Sequence, residues 1–499
     1  MKHSSSTILL LALLLLSGTS SAAAQTAKPK YTLSKCQFTI PKGMAISCGI
    51  LTVPEDRAKP QGKQIQLAVA IARGAGKRAA DPVLYLAGGP GSPAVRSTAG
   101  LAKGWAGFLG SRDLIVIDQR GVGFSTPVLT CPEVESFLFD SLKRSYGPGA
   151  RASEEAKALL TCQQRLSKQG IHLAAYTTEA STRDLEDLRI ALGYTQWNVF
   201  GISYGTRLGL EYVRAYPSSV RSLALDSVYP SQANLLTTIP ANLNNALRRL
   251  FDGCTADTRC QQAYPTLEED FDSLLSKLDA QPVRVKVSDP RNKALIQEEI
   301  DGGRFVEIIF RTLYTTASIP RVPYVIAAAR DGNFQPLAEL ETARLSRALG
   351  SSHALYYSVQ CAADISRYST AEADAAARSY PRLERYVRNL MELTPEVRQI
   401  CSAWGSTKEP NSMQAAVRSD VPSLLLSGEF DPITPAAWAD LAAETLSTST
   451  VYHFPGTGHA VITRGSCPVS ILRAFLANPT ATSKATCPAQ ASSPEWVVP

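Results

Sequence analysis

The sequence predicts an α/β chain: a mostly parallel, doubly wound sheet with a helical segment inserted between two of its strands. Three observations carry that expectation. Short apolar runs ending in Gly or Asp alternate with helical spacing as far as Pro230; the spacing is then helical from Ser231 to Asn411; and a buried-strand signature returns in "VPSLLLSGEFDPITP". Strands buried on both faces read as unbroken apolar runs, and strand–helix alternation marks a parallel sheet. At 499 residues, 44% hydrophobic and 19% charged, the chain is long enough for one large core with an appended unit. Its composition excludes disordered and collagen-like classes.

Taken in order, the first element is a leader. Lys2 supplies a positive n-region, Ile8 to Leu16 an apolar h-region, and Ala22-Ala23-Ala24 a cleavage site before Gln25, so residues 1–24 read as a signal peptide and the protein as secreted or periplasmic. Nine apolar residues cannot cross a hydrocarbon layer roughly 30 Å thick, and no later stretch approaches spanning length, so no membrane span is expected after cleavage. All ten cysteines follow the leader. An even number in an exported chain favours disulfides, and pairing in chain order is the simplest of the possible connectivities. It gives Cys36–Cys48, Cys131–Cys162, Cys254–Cys260, Cys361–Cys401 and Cys467–Cys487. There is no C-x₂-C pair and no H-E-x-x-H, so neither a metal nor a cofactor is expected. Lys and Arg exceed Asp and Glu by 51 to 44 without clustering, which describes a solvated surface and excludes a nucleic-acid footprint.

From Cys36 to Arg73 short β-like runs alternate with turns. "DPVLYLAGG" and "RDLIVIDQRG" read as buried strands, and "EASTRDLEDLRIALG" as a helix stopped by Gly193. "WNVFGISYG" is a strand running into the helix "TRLGLEYVRAYP", and "VRSLALDSV" is the next strand. The expected organisation is a first core part over 25–230, a helical insertion over 231–415, and a second core part over 416–499.

The chemistry gathers around Gly201-Ile202-Ser203-Tyr204-Gly205, a G-x-S-x-G lying between a buried strand and a helix. That is the context of a nucleophile elbow: a sharp turn in which flanking bulk would clash, with a helix N-terminus beyond it favouring negative charge. A serine nucleophile needs a base and an orienting acid, which in this arrangement follow in the order Ser, acid, His. Asp431 ends the strand "SLLLSGEF" and His459 lies in the turn "PGTGHA", so Ser203, Asp431 and His459 are the expected triad. Asp226, ending "SLALD", is the rival acid, with hydrogen bonding to loop backbone as its alternative role. His453, inside a strand, is expected to be a packed core residue. For the oxyanion, the Tyr204 amide and an amide of the loop "LAGGPGSPA", Gly88 or Gly89, are the candidate donors. A phosphate loop would need G-K-[ST] or G-x-G-x-x-G, and neither is present.

The blocks "CGILTVPEDR", "LAGGPGS", "VIDQRGVGFS", "GISYGTRLGLEY", "GEFDPITP" and "GTGHA", in that order, resemble the α/β-hydrolase fold and, within it, the proline iminopeptidase and tripeptidyl aminopeptidase family of serine exopeptidases. The resemblance implies that the insertion caps the site and that Asp118 and Arg120 are structural. It also implies that the end of the chain, with Cys467 and Cys487, is the domain that closes the tripeptidyl aminopeptidases. Two positions depart from the family pattern. Ala87 stands where proline iminopeptidases usually carry His, and Ala363 where Glu is common, leaving Asp364 as the candidate for the substrate ammonium or, alternatively, a helix-surface charge. The expected function is an aminopeptidase acting on small peptides. The alternatives are a carboxylesterase with the same triad and a non-catalytic binding protein that keeps the fold.

Overall fold

The computed structural model describes residues 29–77, 79–144, 146–147, 149–481 and 494–499. The leader and Cys487 lie outside them. Among the described residues the central sheet has nine strands: β1 (Lys30–Ser34), β2 (Ile46–Pro54), β3 (Gln64–Ala72), β4 (Val83–Leu86), β5 (Leu114–Ile117), β6 (Trp197–Ile202), β7 (Val220–Asp226), β10 (Ser423–Gly428) and β11 (Ser449–Phe454). Their spatial order is β1-β2-β3-β5-β4-β6-β7-β10-β11. Pairing is antiparallel from β1 through to β5 and parallel from β5 to β11, so the largely parallel α/β sheet stands as read.

The apolar runs have a direct structural cause. Along β3, Leu67, Val69 and Ile71 enter one buried cluster while Ala68, Ala70 and Ala72 enter the other. β5 repeats the split with Ile115 and Ile117 against Leu114 and Val116, and β10 with Leu425 against Leu424 and Leu426. Side chains alternate across a strand, so covering both faces removes every polar position. Each fully buried Leu or Phe contributes about 2 kcal/mol. The helix Thr178–Leu192 begins where the Thr177 side chain accepts the Ala180 amide and ends at Gly193, whose φ of 75° places it in the left-handed region, the usual roles of a Thr N-cap and a Gly terminator.

β7 and β10 are parallel neighbours in the sheet, and everything from residue 231 to about 415 enters between them. The segment between them is mostly helical and also holds a two-stranded antiparallel ribbon of β8 (Val283–Ser288) and β9 (Leu295–Ile300). "VRVKVS" alternates apolar and charged residues, the period of a half-buried strand, and the turn after it is fixed by Asp289, whose carboxylate accepts the Arg291 amide at 2.9 Å. No helix among the described residues is long and apolar enough to cross a membrane.

The disulfides Cys36–Cys48, Cys131–Cys162, Cys254–Cys260 and Cys361–Cys401 are formed. Cys467 is also disulfide-bonded.

Candidate active site

β6 ends at Ile202 and a helix starts at Tyr204. Ser203 occupies the single residue between them with φ 59° and ψ −126°, a conformation that costs a non-glycine residue about 1–3 kcal/mol. The surroundings fix it there. The Ser203 amide donates to the Asp226 carbonyl at 3.0 Å, and its carbonyl accepts from the Thr206 amide at 2.8 Å and hydroxyl at 2.6 Å. The two glycines of the motif are required by packing: a Cβ at Gly201 would overlap the Gly205 carbonyl, and one at Gly205 would overlap the Leu86 carbonyl.

Asp431 follows β10, and its carboxylate is fully satisfied. Oδ1 accepts the backbone amides of Ile433 and Thr434 at 3.0 Å, while Oδ2 accepts the Thr434 hydroxyl at 2.6 Å and lies 2.7 Å from His459 Nδ1. Burial pushes the carboxyl up, but the His459 charge and these hydrogen bonds outweigh it and hold the group below the usual aspartate value. For His459 the balance is the mirror image: burial pulls the imidazole down, and Asp431, with a smaller share from Asp226, raises it above the ordinary value. With Nδ1 donating to Asp431, Nε2 is left as the proton acceptor. Among the described residues Ser203 makes no hydrogen bond to the imidazole. Such bonds commonly tighten only when substrate is bound.

Ser203 and His459 line one cavity of about 420 Å³. The loop after β4 lines it too, through Gly88, Gly89, Ser92 and Pro93. A Cβ on Gly88 would stand 2.9 Å from Ser203 Cβ, so only a glycine lets this backbone come so near the nucleophile. Gly89, at φ 110°, turns the loop away. Asp118 holds the loop from behind by accepting the amides of Ala94, Val95 and Phe124 at 2.7, 2.9 and 2.8 Å. Arg120 is buried in a two-pronged pair with Asp184, both bonds 2.8 Å.

Asp226 takes the backbone role. It accepts the amides of Val461 and Ile462 at 2.8 Å each, and burial pushes its carboxyl up to about 6. Asp364 is neither a cavity residue nor a surface charge. It is fully buried, 3.5 Å from Arg207 and 3.6 Å from Arg367, and it accepts the Tyr229 hydroxyl. Arg207 belongs to the helix behind Ser203 and also pairs with Glu409 at 3.4 Å; Asp364 therefore faces buried cations and not the cavity. His453 is in β11 but exposed, between the Ser427 hydroxyl at 2.7 Å and Asp440 at 3.0 Å. β11 is the sheet's edge strand, so one of its faces stays open to water.

Three site residues carry no sequence motif: Thr434, Tyr314 and Arg311. The insertion supplies the last two, from the helix Gly302–Leu313 and the residue just beyond it. The signal for Thr434 is weak, a hydroxyl three residues after Asp431 that folds back onto the carboxylate as a turn residue does.

A serine on a strand-to-helix turn, with its acid and histidine following later strands in that order, defines an α/β hydrolase. The fold is that of an α/β hydrolase: residues 81–294 match the family model described as "alpha/beta hydrolase fold", and residues 391–487 match the one described as "TAP-like protein". Tripeptidyl aminopeptidase of Streptomyces lividans is 35% identical over 216 residues, 41% of this chain and 40% of that protein. The match thus spans about two fifths of that relative's length. Serine protease Hip1 of Mycobacterium tuberculosis is 25% identical over 476 residues, covering 89% and 87% of the two chains. Carboxylesterase B of the same species is 26% identical over 255 residues, covering 49% and 48%.

Proposed function

We propose that the protein is an exported serine hydrolase that cleaves short peptides through an acyl-enzyme on Ser203. The observation that carries this reading is the 2.7 Å Asp431–His459 pair, set at the cavity that Ser203 also lines. Ser203 Oγ attacks the scissile carbonyl as His459 Nε2 takes its proton, and Asp431 orients and stabilises the imidazolium. The oxyanion is received by the Tyr204 amide and the Gly88–Gly89 loop. His459 then protonates the leaving amine, and water, deprotonated by the same imidazole, releases the acyl group. Residues 231–415 act as the cap, and the five disulfides of the expected pairing suit an oxidising, extracytoplasmic location.

The likeness to tripeptidyl aminopeptidases supports release of fragments from a free N-terminus, and the charge of the cavity favours fragments longer than one residue. Removing one residue would place the ammonium inside a cavity whose described lining residues include Arg311 and no Asp or Glu. Removing three places it two residues, or about 7 Å, further out, at ~3.3 Å per extended residue. The same lack of an acidic lining residue favours, as a second reading, a carboxylesterase.

Hydrolysis of matched chromogenic tripeptides, free and N-acetylated, beside a short acyl ester tests both readings in wild type and Ser203→Ala. Cleavage of the free-amine peptide alone, lost in the variant, is expected. Cleavage of the ester alone would move the assignment to an esterase. Activity above a tenth of wild type in Ser203→Ala would remove Ser203 from the chemistry.

A further inference from the structure

We infer that Arg311 anchors a substrate carboxylate, so that this hydrolase prefers short substrates bearing a carboxylate close to the bond it cleaves. The inference rests on the hydrolase reading above and adds a substrate class to it. Arg311 lines the same cavity as Ser203 and His459 and is exposed to it. Among the described residues that form this lining, no other Arg, Lys, Asp or Glu occurs.

What distinguishes Arg311 is that its guanidinium has no hydrogen bond or ion pair among the described residues. The neighbouring cap arginines are all spent. Arg304 pairs with Glu307 at 2.6 Å and Glu298 at 3.3 Å, and Arg344 with Glu341 at 2.6 Å and Glu307 at 3.4 Å. Glu307, one helical turn before Arg311, is the natural intrahelical partner, but its two oxygens are taken by Arg304 and Arg344. Arg311 is held by aromatic rings instead: its guanidinium carbon lies 5.4 Å from the Phe310 ring centre and 5.6 Å from that of Tyr314. Cation–π contacts of this kind position a guanidinium without using its N–H fork. The Tyr314 ring is in turn 4.9 Å from the ring of His459. The free fork thus stands one aromatic ring away from the catalytic imidazole, and the described residues lining the Ser203 cavity include no Asp or Glu. A planar fork of donors matches a carboxylate with two charge-assisted hydrogen bonds.

The carboxylate can come from an acidic side chain flanking the scissile bond or from the free C-terminus of a very short peptide. Alanine tetrapeptides separate the two sources when offered as C-terminal acid against amide, and as amides with Glu against Gln at each residue flanking the bond. For wild type, kcat/KM is expected to favour the carboxylate member of at least one pair by tenfold or more. In Arg311→Leu that ratio should fall to within about twofold of unity, and in Arg311→Lys, which keeps the charge but not the fork, it should be intermediate. The same pairs titrated calorimetrically into Ser203→Ala protein give the ratio without turnover. A carboxylate preference in binding that Arg311→Leu abolishes sustains the inference even if no peptide is cleaved. Peptide cleavage with no carboxylate preference in any pair, or a preference that survives in Arg311→Leu, overturns it and leaves the hydrolase reading standing.

Discussion

The carbonyl of Tyr314 accepts the His459 amide at 3.0 Å, and the two rings lie 4.9 Å apart, centre to centre. The insertion therefore holds the backbone of His459 directly, from the residue that follows its helix Gly302–Leu313. The join is close. The Gly458 amide donates to the Thr316 hydroxyl at 3.1 Å, and a Cβ on Gly458 would overlap the Leu313 carbonyl. Gly458→Ala should push the turn off the cap and misplace the imidazole. We expect kcat/KM to fall about 100-fold, the scale of a 1 Å misplacement, in steady-state assays on a protein that still folds by circular dichroism.

The two candidate acids divide the work between them. Asp431 touches the His459 ring, and Asp226 touches the backbone two and three residues beyond it. Asp431→Asn should cost about 10⁴ in kcat, because an amide favours the wrong imidazole tautomer. Asp226→Asn should cost far less, since it loosens the loop without touching the ring. Parallel kcat measurements on the two variants check this, and the reverse ranking would exchange their roles.

The pH profile follows from the signs. His459 must be neutral to take the Ser203 proton, and its pKa is raised above the ordinary value. Activity is therefore full above that raised pKa and is lost as pH falls through it. The acid limb of kcat/KM should lie above about 6.5, the unperturbed histidine value. Asp226 contributes to the raise, so Asp226→Asn should shift the acid limb to lower pH, readable from kcat/KM between pH 5 and 8.

Asp364, the expected carboxylate for the substrate amine, lies buried beside Arg207 and Arg367, which favours a structural role that can be tested. Asp364→Ala leaves buried Arg207 with Glu409 alone, and breaking a buried pair costs about 3 kcal/mol. Urea unfolding should show that loss, while KM for a free-amine peptide changes less than threefold. A large KM effect at unchanged stability would return Asp364 to the substrate.

Most of the sheet was legible because its physical cause is written residue by residue: "LIVI" and the "LLL" of β10 have no polar position to expose. The elbow was legible because Gly201 and Gly205 are demanded by backbone overlaps local to the motif. The β8–β9 ribbon was missed under the helical spacing on either side, although its alternation is present in the sequence. Asp364 and Arg311 were beyond reach for a different reason. One carboxylate is buried because a cation 157 positions away faces it, and one guanidinium is free because Glu307 is spent on two other arginines. Such facts belong mainly to tertiary partners, which a residue's neighbours in the sequence, such as Arg367 beside Asp364, do not reveal.

The entry point of the insertion has a consequence for how the molecule is made. Leu223 of β7 pairs with Ser423 of β10, two hundred residues later in the chain. Until those late residues emerge, the first half of the sheet ends in an open parallel edge lined by Leu223 and Leu225, a template for pairing with another nascent chain. Closing so long a loop is slow. A chain in which this pairing has not yet formed is thus the species most exposed to aggregation, and truncation ahead of β10 should yield an insoluble protein rather than a smaller, inactive one.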